Sequence, residues 1–190
     1  MYIIFDTETN GKPKDFNAKM SNVDNWPRIT QLGYQVYNNR KELVKEVNHL
    51  VIPDGWEIPK EKFFIENNMS TERCQEFGIP IKEVLTEFIN DLESCVYLVA
   101  HNMKFDYNVV GAELIRLGLK SKNKPKKVCT MLSSMDVLKI PNSHGYAQYK
   151  WPNLTELHQY FFNCGFDGAH DAMDDVRSTA KCYFKLIEDE

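Results

Sequence analysis

Met1 to Phe5 is apolar on both of its alternating faces, and two carboxylates, Asp6 and Glu8, follow at once. A strand that is apolar on both faces has to be covered on both sides, so it belongs at the centre of a sheet with layers above and below. Arg28 to Tyr37 alternates Ile29, Gln31, Gly33, Gln35 and Tyr37 against Leu32, Tyr34 and Val36, which predicts a second strand. Asn38-Asn39 reads as a turn into a third strand over about Leu43 to Ile52. Three strands in succession predict an antiparallel meander.

Helices and short strands follow. Ser70 is placed to cap a short helix ending at Gly78. Pro80 opens a longer one, with Ile81, Val84, Leu85, Phe88, Ile89 and Leu92 on one face. Tyr97 to Ala100 predicts a buried strand, and Phe105, Val109, Ala112 and Leu114 to Leu117 a helix after it. A short strand near Val128 and a brief helix after Thr130 come next. Asn153 and Glu156 form a capping-box pattern ahead of Leu157, Tyr160 and Phe161. Ala172, Val176, Ala180, Tyr183 and Ile187 stripe a final helix, with Asp171 and Asp174 at its N-cap and third positions. The order predicts one α/β layered domain over residues 1–190, with a mixed five-stranded sheet flanked by helices.

Composition narrows the function classes. Hydrophobic residues are 43% and aromatics 12% of 190 residues, which excludes a disordered chain. The longest apolar stretches, such as Val96 to Ala100, hold about five residues, far from the about 20 of a membrane span. With no basic, apolar leader ahead of Asp6, a cytoplasmic location and no membrane partner are expected. The five cysteines, Cys74, Cys95, Cys129, Cys164 and Cys182, include no C-x-x-C pair and are read as buried free thiols. The net charge of −4 looks wrong for a phosphate-binding protein. Four carboxylates gathered at a metal site would leave the rest of the chain neutral, and divalent cations would then supply the positive charge where phosphate sits.

Asp6 and Glu8 lie two apart on one strand, so period 2 points both side chains to one face, about 7 Å apart along the backbone. Two solvated acids at a strand end would look the same in sequence. Asp106 follows the turn His101-Asn102 in the first turn of a helix, where the helix dipole alone would also favour an acid. Asp175 lies beside the apolar stripe of the last helix and wants a partner. His170 lies just before the Asp171 cap, and histidine is the residue type whose ordinary pKa suits proton abstraction from water. All four acids fall at strand ends or helix starts, where an α/β sheet forms its ligand site. An all-carboxylate set favours hard cations, so two Mg²⁺ or Mn²⁺ ions are expected, which together can hold the attacking and leaving oxygens of a phosphodiester.

Phe5-Asp6-Thr7-Glu8-Thr9-Asn10-Gly11, His101-Asn102-Met103-Lys104-Phe105-Asp106 and His170-x-Ala172-x-x-Asp175 resemble, in order, the three motifs of the DEDDh (DnaQ-like) 3′→5′ exonucleases. Within that family the likeness is to the exonuclease domain of the DNA polymerase III epsilon subunit and to related stand-alone enzymes. The tyrosine branch is excluded, because the position four before Asp175 is Asp171. The resemblance implies a ribonuclease H-like fold. It implies that Asp6, Glu8 and Asp175 hold one metal and Asp6 and Asp106 the second, with His170 as general base. It places Thr9, His101, Asn102 and Phe105 near the terminal nucleotide. The implied reaction releases nucleoside 5′-monophosphates from the 3′ end of DNA, single-stranded or frayed. An exoribonuclease of oligoribonuclease or RNA-trimming type is the alternative, and a catalytically silent nucleic-acid-binding module a further one. The family usually has Thr and then Leu around the first-motif glycine. This chain has Asn10 and Lys12, so Lys12 is expected to contact phosphate in place of an apolar wedge. With about fifteen residues after Asp175, a free-standing enzyme is expected over a polymerase-docked subunit, and a polymerase or homodimer partner stays open. Lys120, Lys122, Lys124, Lys126 and Lys127 read as a solvated loop or as a surface that tracks the nucleic-acid strand.

Overall fold

The computed structural model describes residues 1–143, 148–166 and 171–188. Strands β1 (Tyr2–Thr9), β2 (Ile29–Tyr37) and β3 (Leu43–Leu50) form the antiparallel meander that the alternation predicts. Strands β4 (Tyr97–Ala100) and β5 (Lys126–Cys129) add in parallel on the other side of β1. The sheet order is β3-β2-β1-β4-β5, so the doubly apolar strand is the central one.

β1 continues through Asp6 and Glu8, as their spacing on one strand predicts, and ends at Thr9. Its parallel pairing with β4 stops at Ile4↔Val99, whereas its pairing with β2 continues to Thr9↔Ile29. Asp6 to Thr9 therefore have a strand on one side only, and the other side borders the crevice beyond the carboxyl ends of the parallel strands. That crevice is where open α/β sheets take their ligands.

The two faces of β1 are covered by different helices. Ile3 and Phe5 are in the cluster formed with α3 (Ile81–Leu92) and α4 (Met103–Arg116). Phe88 of α3 lies 5.6 Å from Phe5 and 5.1 Å from Tyr34, ring centre to ring centre. Ile4, on the opposite face, packs with Val99 against Met173, Val176, Ala180 and Tyr183 of α8 (Ala172–Leu186). A second stripe of α8, Cys182 and Leu186, packs on Leu157 of α7 (Leu154–Phe162). The caps hold as the sequence suggests. Ser70 accepts from the Arg73 N–H ahead of α2 (Thr71–Phe77), and Asn153 and Glu156 complete a reciprocal capping box on α7. The short α1 (Lys62–Glu66) carries too little periodicity to be read in advance, and its Phe64 is buried with Ile58, Met69 and Cys74.

The lysine run is not one loop. Its last two members open β5, paired with Tyr97 and Leu98 at the amino end of β4. The loop ahead of them is pinned: the Asn123 amide donates to the Leu92 and Cys95 carbonyls, and the Lys122 N–H to Glu93. This edge of the sheet is the one away from Asp6 and Glu8. Cys74, Cys95 and Cys182 are buried free thiols as expected, whereas Cys164 is exposed. No described helix is long and apolar enough to cross a membrane.

Candidate active site

Three elements converge at the crevice. β1 directs Asp6 and Glu8 to the α8 face, the face on which Ile4 packs, because they share its period. Asp175 is on the first turn of α8, and the Asp6, Glu8 and Asp175 carboxylates each place one oxygen within 4.8 Å of the others. All three are half-buried. These are the residues expected to hold the first metal, and a set of carboxylate oxygens at that spacing suits a hard divalent cation.

Asp106 reaches the crevice from α4 and is buried. Its carboxylate accepts from the Thr7 backbone N–H at 3.0 Å and from the Thr7 hydroxyl at 2.7 Å. Thr7 is between the two acids in sequence, so it points to the other face of β1, toward α4. One three-residue stretch thus supplies two candidate ligands to one side and the anchor for a third acid to the other. Asp106 does not join the trio within 4.8 Å, yet its charge acts on both Asp6 and Glu8.

The electrostatics show what such a cluster needs. Burial, followed by the charges of Asp106, Asp175, Glu8 and Asp171, raises the Asp6 carboxyl well above the usual carboxylate range. Burial, then Asp175, Asp106 and Asp171, pushes Glu8 up to about 8. Burial pushes Asp106 up to about 7, against the lowering effect of the two Thr7 hydrogen bonds. Carboxylates so close hold protons into the neutral range unless a cation replaces them.

The residues expected near the terminal nucleotide divide into two groups. Asn102 and Phe105 are half-buried beside Asp106, and Asn102 takes the left-handed conformation at φ 64° as it leads into α4. That conformation is one that Asn tolerates better than most side chains. His101 and Thr9 are engaged inside the protein. The His101 Nε2–H donates to the Pro152 carbonyl at 3.1 Å, which leaves Nδ1 to accept from the Thr130 hydroxyl at 3.0 Å. Burial lowers the His101 pKa to about 4, so the ring is neutral at physiological pH. The Thr9 hydroxyl donates to the Gly11 carbonyl at 2.7 Å. Asn10 closes the end of β1 by exchanging hydrogen bonds with the Arg28 backbone, and Lys12 is exposed. His170, the expected general base, lies outside the described residues.

The groups that hold the site in shape do not stand out in the sequence. Thr7 was visible only as the middle of a motif. Gln31, buried on β2 opposite Glu8, donates to Asp171 and to Asn48 and accepts from the Ala172 N–H. A glutamine on the covered face of a central strand was the available signal, since a buried amide has to find partners.

The RNase_T family model, described as exonuclease, matches residues 3–183. The chain belongs to the exonuclease family. No curated protein matches it in sequence. Among solved structures this family member resembles Escherichia coli exonuclease I in complex with a dT13 oligonucleotide, at 14% identity and a TM-score of 0.74, over 98% of this chain and 40% of that one. It also resembles exonuclease I of Methylocaldum szegediense, at 18% identity and a TM-score of 0.72, over 100% of this chain and 40% of that one. The zinc-bound form of the E. coli exonuclease I complex with single-stranded DNA aligns at 14% identity and a TM-score of 0.73, again over 100% and 40%. At these identities the likeness establishes the ribonuclease H-like exonuclease fold. The chain spans about two fifths of the length of these structures.

Proposed function

We propose that the chain is a divalent-metal-dependent 3′→5′ exonuclease of the DEDDh type. It removes nucleoside 5′-monophosphates from the 3′ end of single-stranded or frayed DNA. The observation that carries this reading is the Asp6–Glu8–Asp175 trio, with one oxygen from each within 4.8 Å, at the open carboxyl end of the central strand. The family membership and the fold shared with exonuclease I structures that hold single-stranded DNA support the choice of substrate.

Asp6, Glu8 and Asp175 would hold one ion, and Asp6 with Asp106 the second. When bound, Mg²⁺ or Mn²⁺ would neutralise phosphate charge and make a water acidic enough to yield a nucleophile near neutral pH. Thr7 fixes Asp106 through two hydrogen bonds to the same carboxylate oxygen. His170 precedes the cap of α8 by one residue in sequence and would take the proton of the attacking water, a role to which histidine as a residue type is suited. The strand feeding the site has to present its last nucleotide unpaired, because a base in a duplex is stacked and paired beyond reach.

The test is digestion of a 5′-labelled oligonucleotide with Mg²⁺ or Mn²⁺, on DNA and RNA of matched sequence, beside Asp6→Ala. A descending ladder on DNA that the variant lacks supports the reading. A faster ladder on RNA reassigns the substrate. No ladder with either, or equal ladders from parent and variant, removes the enzyme and leaves a nucleic-acid-binding module.

A further inference from the structure

On β2 the cross-strand partners of Asp6 and Glu8 are Gly33 and Gln31. Opposed residues of an antiparallel pair share a face, so both lie under the start of α8. At Gly33 the approach is backbone to backbone. A Cβ at residue 33 would lie 2.9 Å from the Ala172 carbonyl carbon, 3.0 Å from its oxygen and 3.1 Å from the Met173 nitrogen. The first turn of α8 therefore rests on the sheet at a height that only glycine permits. Gln31 fixes its place along the sheet. Its Nε2 donates to the Asp171 carboxylate at 3.0 Å and to Asn48 at 2.9 Å, and its Oε1 accepts from the Ala172 N–H at 3.3 Å. The other Asp171 oxygen accepts from the Met173 N–H, so this acid is committed to the cap. Asp175 is one turn further on, its N–H bonded to the Asp171 carbonyl at 3.0 Å.

We propose that Gly33 and Gln31 are positioning residues of the metal centre: together they set the height and the place of the first turn of α8, and so the reach of Asp175 across to Asp6 and Glu8. The inference rests on the metal reading above. Neither residue is a ligand, and both act through Asp175. Partners that orient ligands in this way typically change metal affinity by about 10–100-fold when altered.

The experiment is Mn²⁺ titration of the full chain by calorimetry and electron paramagnetic resonance, without substrate, with thermal melting of each variant. Gly33→Ala and Gln31→Ala should each melt cooperatively and bind Mn²⁺ about 10–100-fold more weakly than the parent. In an Asp175→Asn background, Gly33→Ala should weaken Mn²⁺ little further, because the ligand it positions is already gone. Parental affinity in both single variants overturns the proposal. So does a Gly33→Ala loss that persists in full without Asp175, which would mark a general structural role. If Gly33→Ala fails to fold, Gln31→Ala alone decides. A parent that binds no Mn²⁺ brings down the metal reading itself, and that result is read from the parent before any variant.

Discussion

Thr7 shows how much one side chain in the first motif does beyond the two acids beside it. It holds Asp106 with an N–H and a hydroxyl, and those bonds oppose the burial that pushes the carboxyl to about 7. Thr7→Val keeps the N–H and deletes the hydroxyl. A hydrogen bond to a charged group contributes about 1.5–3 kcal/mol, so the Asp106 carboxyl should rise by about one pH unit or more. The expected outcome is weaker Mn²⁺ binding at pH 6.5 and a smaller deficit at pH 8.5, where more of the carboxylate is ionised. Calorimetric titration at the two pH values checks this, and an equal change at both would show that the hydroxyl does not act through Asp106. The site acids themselves were legible in sequence because carboxylates in an apolar strand and at helix starts are chemically conspicuous. Thr7, Gln31 and Gly33 were not, because their roles exist only across strands. Asp106 is 99 residues from Thr7, and Asp171 is 140 from Gln31.

Among the elements, the meander, α3, α4 and α8 were legible because each presents a periodic apolar face to a neighbour. Phe88 is where that periodicity turns into packing. It is fully buried and touches rings from two strands, Phe5 of β1 and Tyr34 of β2. Phe88→Ala should cost about 3–5 kcal/mol of stability, the range for removing a buried aromatic ring. Urea unfolding measures it as a lower midpoint with an unchanged slope. A cost under about 1 kcal/mol would mean that α3 does not carry this layer of the core. That the strand carries Asp6 and Glu8 was legible from their spacing, but that Asp6 to Thr9 are held by β2 on one side only was not, since strand neighbours are not written in the local sequence. The placement of the last two lysines was hidden for a related reason. A charge pattern cannot say that its last two residues will pair with the amino end of β4, on the edge away from the acids.

For the molecule as a whole, the cluster sets an opposition between folding and pH that metal should relieve. A carboxyl whose folded pKa is raised stabilises the fold while it is protonated, and the contribution is lost as pH rises through the folded value. Glu8 at about 8, Asp106 at about 7 and the raised Asp6 therefore all destabilise the metal-free protein as pH climbs from about 4.5 to 8. His101 acts in the other direction over a lower window. Its folded pKa of about 4 lies below the ordinary imidazole value, so its contribution is present above about pH 6.5 and lost as pH falls toward 4. The metal-free protein should accordingly be most stable at mildly acidic pH, with a falling melting temperature toward pH 8.5. Mn²⁺ competes with the protons on the same oxygens, so its stabilisation should grow over that range. At a hundredfold excess over its dissociation constant an ion adds about 2.7 kcal/mol, which for a chain of this length raises the melting temperature by about 5–10 °C. Differential scanning calorimetry with EDTA and with Mn²⁺, at pH 6 and pH 8.5, reads both trends. A Mn²⁺ shift that is equal at the two pH values, or larger at pH 6, would mean that the ion does not bind where the protons do, and the Asp6–Glu8–Asp175 centre would have to be given up.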